Sequence, residues 1–127
     1  MVTWREMGKA NACAAAMLAR DETVCRASVS RAYYAVYQEV THQIIESGDG
    51  QFGRFNNPTH EVLARLVRNN LSSISGFRKR ELERLIRRLR QRRVDADYRP
   101  KISVDRASVH GALRDMCEAR RLLGVSV

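Results

Sequence analysis

The segment 21–40, DETVCRASVSRAYYAVYQEV, is apolar around most of its girth when wound at about 100° per residue. Ala27, Ser30, Tyr34, Thr41 and Ile45 share one face, and Tyr33, Tyr37, Val40 and Ile44 cover the adjoining side. Only a narrow strip of Glu39, Gln43 and Glu46 is left for water. A helix with so little polar surface must be packed on several sides by other helices, so the chain is predicted to fold as a bundle around it. Arg31, Gln38 and His42 fall close together beside the apolar face. They predict a polar line along the edge of the core, the first sign of a cleft.

The flanking sequence supplies the other helices. Thr3 followed three residues later by Glu6 is a capping-box pattern and starts a helix over 3–20, with Trp4, Met7, Asn11, Ala14, Ala15 and Leu18 inward. Asp21 is placed to cap the central helix, which should end near Ser47 at Gly48. The run 48–57, GDGQFGRFNN, has no periodicity and reads as a loop. Pro58 then opens a short helix over 58–71 with Val62, Leu63, Leu66 and Val67 inward. A turn at SSISG leads into a fourth helix over 77–98, ended by Pro100. Ser103 is placed to cap a fifth, whose Val109, Ala112, Leu113, Met116, Ala119 and Leu123 keep a three-four spacing. No strand pattern, repeat or linker interrupts this order. The expectation is one all-α domain over 1–127, an antiparallel up-and-down bundle of four long helices plus one short helix.

At 127 residues the chain can build one core without staples. Cys13, Cys25 and Cys117 are odd in number and form no CxxC, which predicts reduced thiols in a reducing compartment and no zinc site. Cys13 and Cys25 fall on polar faces of their helices. No apolar run approaches the roughly 20 residues of a membrane span, and MVTWREMGKA lacks the apolar core of a secretory leader, so a cytoplasmic location is expected. The net charge is +9, and between Gly76 and Lys101 eleven basic residues face four acidic ones. A block of this kind predicts a polyanionic partner, RNA above all, or an acidic protein surface, or else a solvated helix face.

Within that block, Leu82, Leu85, Ile86 and Leu89 form the inward stripe of helix four, and the same spacing lands on Arg93 in the middle of the apolar face. Asp97 follows four residues later on the same side. A guanidinium there is costly unless a carboxylate or a phosphate satisfies it. Two readings of Arg93 stay open: an ion pair with Asp97 that fixes packing, or a planar donor fork offered to a phosphate in a cleft shared with Arg31 and His42.

The run Ser30-Arg31-Ala32-Tyr33-Tyr34-Ala35 and the later Arg93-Val94-Asp95-Ala96-Asp97-Tyr98 together resemble the paired signatures of the HEPN-domain family, SRAYYA and R-x-x-A-D-Y. The motif order and separation, the glycine-rich middle loop followed by His60, and the final helix are also similar, so the resemblance covers nearly the whole chain. It implies a bundle that usually forms a homodimer, with the helix-four motif lining a cleft at the dimer interface. Many members are metal-independent ribonucleases, often toxins of toxin-antitoxin pairs, that use an Arg followed after four to six residues by His. Others partner a minimal nucleotidyltransferase, which in some pairs modifies a Tyr just after that His.

Carried onto this chain, Arg93 or Arg92 matches the Arg and Tyr98 the Tyr, while Ala96 or Asp97 stands where the His belongs. Cleavage by attack of a 2′-hydroxyl needs a group that moves a proton near neutral pH, and an ionised Asp paired with Arg is a weak substitute for His. His42 is the residue expected to stand in. Arg54 and His60 match the bare Arg-to-His spacing but straddle a loop and Pro58, and that match is read as coincidence. His110 faces outward and is assigned nothing. Tyr33, Tyr34 and Tyr37 read either as core filler or as a stacking surface for bases. The expected site is thus Arg93, Asp97 and His42 for chemistry, with Arg31, Tyr34, Arg92 and Tyr98 for binding. The functions in view are an RNA- or nucleotide-binding component of a toxin-antitoxin or defence system with cleavage lost, an active ribonuclease, and an interaction subunit of a nucleotidyltransferase. None calls for a cofactor.

Overall fold

The computed structural model describes residues 2–47, 60–61 and 63–125. Among them are five α-helices, α1 (Trp4–Leu18), α2 (Cys25–Glu46), α3 (Leu63–Asn70), α4 (Gly76–Tyr98) and α5 (Arg106–Leu122), and no strand. The expected loop at 48–57 and the helix start at Pro58 lie outside the described residues. No described helix is long and apolar enough to cross a membrane.

The helix starts show how the sequence sets each element. The capping box at the head of α1 is formed as expected: the Glu6 amide donates to Thr3 Oγ1 at 3.1 Å and the Thr3 amide to Glu6 Oε2 at 3.0 Å. Asp21 does accept from the Thr23 amide, but it caps a short 3₁₀ turn, Glu22–Val24, and α2 begins only after it. Accordingly α1 ends at Leu18, earlier than Arg20. Ser75 caps α4. The start of α5 is capped by Asp105 and not by Ser103, because the Asp105 carboxylate takes both the Ser108 amide at 3.0 Å and the Ser108 hydroxyl at 3.1 Å. Those two bonds hold the Asp105 carboxyl below its ordinary range.

Helix α2 is the hub, packed by α1, α4 and α5, with α3 seated mainly on α4. Ala32, Ala35, Val40 and Ile44 of α2 have no exposed surface, and Leu82, Leu85, Ile86 and Leu89 of α4 and Val109, Ala112, Met116 and Ala119 of α5 close over them. The face that α1 buries is rotated from the expected stripe onto Gly8, Ala12 and Ala15. Small side chains explain the rotation. A Cβ at Gly8 would stand 3.1 Å from the Ala35 carbonyl, so the two backbones approach closely here, while Trp4, Met7 and Leu18 flank the contact half-buried.

Two expectations for α2 are overturned. Glu39, assigned to the water-facing strip, is completely buried, because Arg5 reaches over from α1 and takes its carboxylate with two bonds of 3.1 Å. Gln43 adds a third from Nε2 at 3.0 Å. The 100° count on one helix cannot show that a long basic side chain on a neighbour will cover a carboxylate. Cys25, placed on a polar face, is also buried, since the first turn of α2 lies beneath the α4–α5 connection. Cys13 is exposed as expected.

Candidate functional site

The C-terminal half of α4 meets α2 at the two motifs that the sequence singles out. Arg93 projects from the apolar stripe with 11% of its side chain exposed, and its Nε stands 3.0 Å from Asp97 Oδ2. That contact is an ion pair without hydrogen-bond alignment, since Nε has no hydrogen-bond partner among the described residues. Nη2 donates to the Tyr34 hydroxyl at 2.9 Å and to the Tyr98 hydroxyl at 3.0 Å. The guanidinium carbon also lies 5.3 Å and 5.0 Å from the centroids of those two rings. Burial opposes the charge, but Tyr34, Tyr98 and Asp97 outweigh it, and the Arg93 pKa is held above its ordinary value. Asp97 is tied back to α2 by the Ser30 hydroxyl at 3.0 Å. Thus Ser30, Tyr34, Arg93, Asp97 and Tyr98 form one cluster joining both motifs.

The remaining residues of the expected site lie elsewhere. Arg31 is exposed and donates to Asn11 Oδ1 at 3.1 Å, and Asn11 donates in turn to Gln38 at 2.7 Å. The polar line of α2 therefore exists, but it runs along the α1 seam. His42, half-buried on that line, makes no hydrogen bond, ion pair or ring contact among the described residues. No hydrogen bond or ion pair among the described residues joins Arg31 or His42 to Arg93. Arg92 turns to α5, where Nη1 donates to the Ser108 carbonyl at 3.3 Å and the head lies against Gly111. The geometry is a consequence of Gly111, since a Cβ there would come within 2.7 Å of Arg92 Nη2.

His60 takes the place that His42 does not. Its Nδ1 is 2.8 Å from the Tyr33 hydroxyl, and its ring lies 4.8 Å from the Tyr37 ring and 5.8 Å from the Tyr34 ring, centroid to centroid. Burial, followed by the charges of Arg93 and Arg90, pushes the His60 pKa below 6.5, so the imidazole is neutral near pH 7. Burial drives the Tyr33 phenol strongly upward, so it keeps its proton. A protonated phenol against a neutral imidazole is satisfied when Tyr33 donates to Nδ1, which leaves the ring proton on Nε2.

His60 also forms one wall of a cleft of about 460 Å³ between α3 and α4. Ile86, Val94 and Ala64 supply its apolar lining, and Arg87, Arg90, Gln91 and Arg99 surround it with donors; Glu61 is its acidic member. The basic groups are incompletely used. Arg90 Nε is buried with no hydrogen-bond partner among the described residues. Arg87 stands 3.7 Å from Glu83, whose carboxylate is already held by Arg68 at 2.8 and 3.3 Å. Arg99 is 3.8 Å from Asp95. Because the His60 ring lines the cleft and also lies against Tyr34 of the motif cluster, the cluster and the cleft adjoin.

The C-terminal edge of this site is held by a residue that periodicity gives no reason to select. Arg26, in the first turn of α2, donates from Nη1 to the carbonyls of Asp95, Ala96 and Arg99 at 3.1–3.3 Å, and from Nη2 to those of Pro100 and Ile102. It thereby satisfies the Ala96 carbonyl, whose helical donor is missing at Pro100, adds to the Asp95 and Arg99 carbonyls that already accept backbone amides, and places a positive charge at the negative end of the helix dipole. Compared with known proteins, the chain matches no family model, no curated protein and no solved structure.

Proposed function

We propose that the chain is a HEPN-type antiparallel bundle that binds RNA or nucleotide along α4, as a component of a toxin-antitoxin or defence system. The observation that carries this reading is the joining of the Arg93–Tyr34–Tyr98 cluster to a cleft in which Arg87, Arg90 and Arg99 outnumber a lone acid. Arg93 itself is already engaged by Tyr34, Tyr98 and Asp97, so its part is to shape and charge the wall behind His60. The phosphate-facing groups are those of the cleft.

Binding of a labelled single-stranded RNA tests the reading. Affinity should fall steeply with salt, with a log–log slope of about −0.7 for each phosphate neutralised. Reversing Arg87 and Arg90 to Glu should weaken binding by about tenfold or more at low salt and flatten that slope by roughly 1.4. Absence of binding at about 50 mM salt removes the proposal.

A second reading, an active metal-independent ribonuclease, has His60 in its favour: switched to the tautomer in which Nδ1–H donates to the Tyr33 oxygen, the neutral imidazole has a free lone pair on Nε2 that can take a proton from a 2′-hydroxyl while the neighbouring guanidiniums stabilise the phosphorane. Cleavage of labelled RNA in EDTA should then disappear in His60→Ala and persist in His42→Ala. Equal cleavage by parent and His60→Ala proteins removes it.

A further inference from the structure

We infer that the cleft between α3 and α4 recognises a terminal phosphate, the phosphomonoester end of its ligand, and not a bridging phosphodiester. The source of that phosphate, a strand end or a free nucleotide, rests on the RNA-or-nucleotide reading; the phosphate chemistry does not.

The donors exceed what a bridging group can use. A bridging phosphate offers two free oxygens and one charge and must have chain leaving on both sides. A terminal phosphate offers three oxygens and, near neutral pH, between one and two charges. In the cleft, Arg90 carries a buried Nε with no hydrogen-bond partner among the described residues, and Arg87 and Arg99 stand beyond hydrogen-bond distance of their nearest carboxylates. The Gln91 amide is half engaged, its Nε2 donating to Asp95 Oδ1 at 2.9 Å. His60 closes the inner end, with its Nδ1 occupied by Tyr33. Three guanidiniums with one acid, Glu61, among the lining residues suit a group carrying close to two negative charges. Ile86 and Val94 line the cleft with apolar surface, which strengthens each charge-assisted bond by keeping water from that side.

The three histidines provide the test. With the full chain labelled on histidine, inorganic phosphate should shift the His60 ring resonances to saturation and leave those of His42 and His110 in place. Arg90→Ala should weaken that titration by about tenfold, and Arg90→Lys should lie between, since it keeps charge but loses the planar fork. Phosphate that shifts all three rings alike, or a titration unchanged in Arg90→Ala, overturns the inference. A 5′-phosphorylated RNA strand binding about tenfold tighter than its 5′-hydroxyl form assigns the phosphate to a strand end. Adenosine monophosphate matching that strand, and exceeding inorganic phosphate, assigns it to a nucleotide. If both strand forms bind equally and phosphate leaves His60 unmoved, the RNA reading stands and this inference falls. If phosphate titrates His60 in a protein that binds no RNA, the reverse holds.

Discussion

Glu39→Ala is expected to lower the unfolding free energy by about 3–5 kcal/mol, the cost of removing one partner from a buried ion pair. Glu39 is wholly buried, and two basic side chains depend on it. Arg5 is half-exposed and can turn to water once the carboxylate is gone. Arg120 cannot, because it is 2% exposed, with Nη1 bonded to the Ala35 carbonyl at 3.1 Å. Burial already lowers the Arg120 pKa, and Glu39 is the largest influence raising it. Deleting Glu39 removes the strongest of the influences that favour this buried cation. The measurement is a urea midpoint at constant slope, read beside Arg5→Ala. Arg5→Ala should cost less, since Gln43 and Arg120 remain beside the carboxylate. Equal losses in the two variants would show that Arg5, and not Arg120, is what Glu39 serves.

The second large effect is expected at Arg26. Arg26→Ala removes charged donors from five carbonyls at the end of α4, and about 2–3 kcal/mol should be lost. The loss should be local before it is global. Hydrogen exchange should quicken in the last turn of α4, at residues 95–99, while the α2 and α5 amides near Ala32 and Ala112 keep their protection. Because Asp97, Tyr98 and Arg99 lie in the loosened turn, RNA binding should weaken as well, although Arg26 does not border the cleft. Unchanged exchange at 95–99 would mean that Pro100 and the backbone turn hold the helix end without help.

These two residues also mark what the sequence could and could not disclose. The helices, their inward stripes on α4 and α5, and the Arg93–Asp97 pair were legible, because each is a relation between residues three or four apart on one helix. Glu39, Arg26 and His60 owe their environments to residues 34, 69–76 and 27 positions away. A wheel drawn on α2 alone puts Glu39 in water and gives Arg26 no acceptor. Likewise Arg31 and Gln38 of the expected polar line meet at Asn11, and only the packing of α1 decides that these two face a seam and not a cleft. His60 was visible as a histidine after the glycine-rich stretch; what singled it out was the cluster of Tyr33, Tyr34 and Tyr37 behind it.

The three thiols, finally, are set at three depths: Cys13 exposed, Cys117 half-buried and Cys25 buried beside Arg26. Burial also raises the Cys117 pKa, so that thiol is the less reactive even where reagent reaches it. An alkylating reagent added to the native protein therefore becomes a clock with three hands. The first is set by plain chemistry, the second by breathing of α5, and the third by release of α4 from the head of α2, so the integrity of the candidate site can be timed without any ligand.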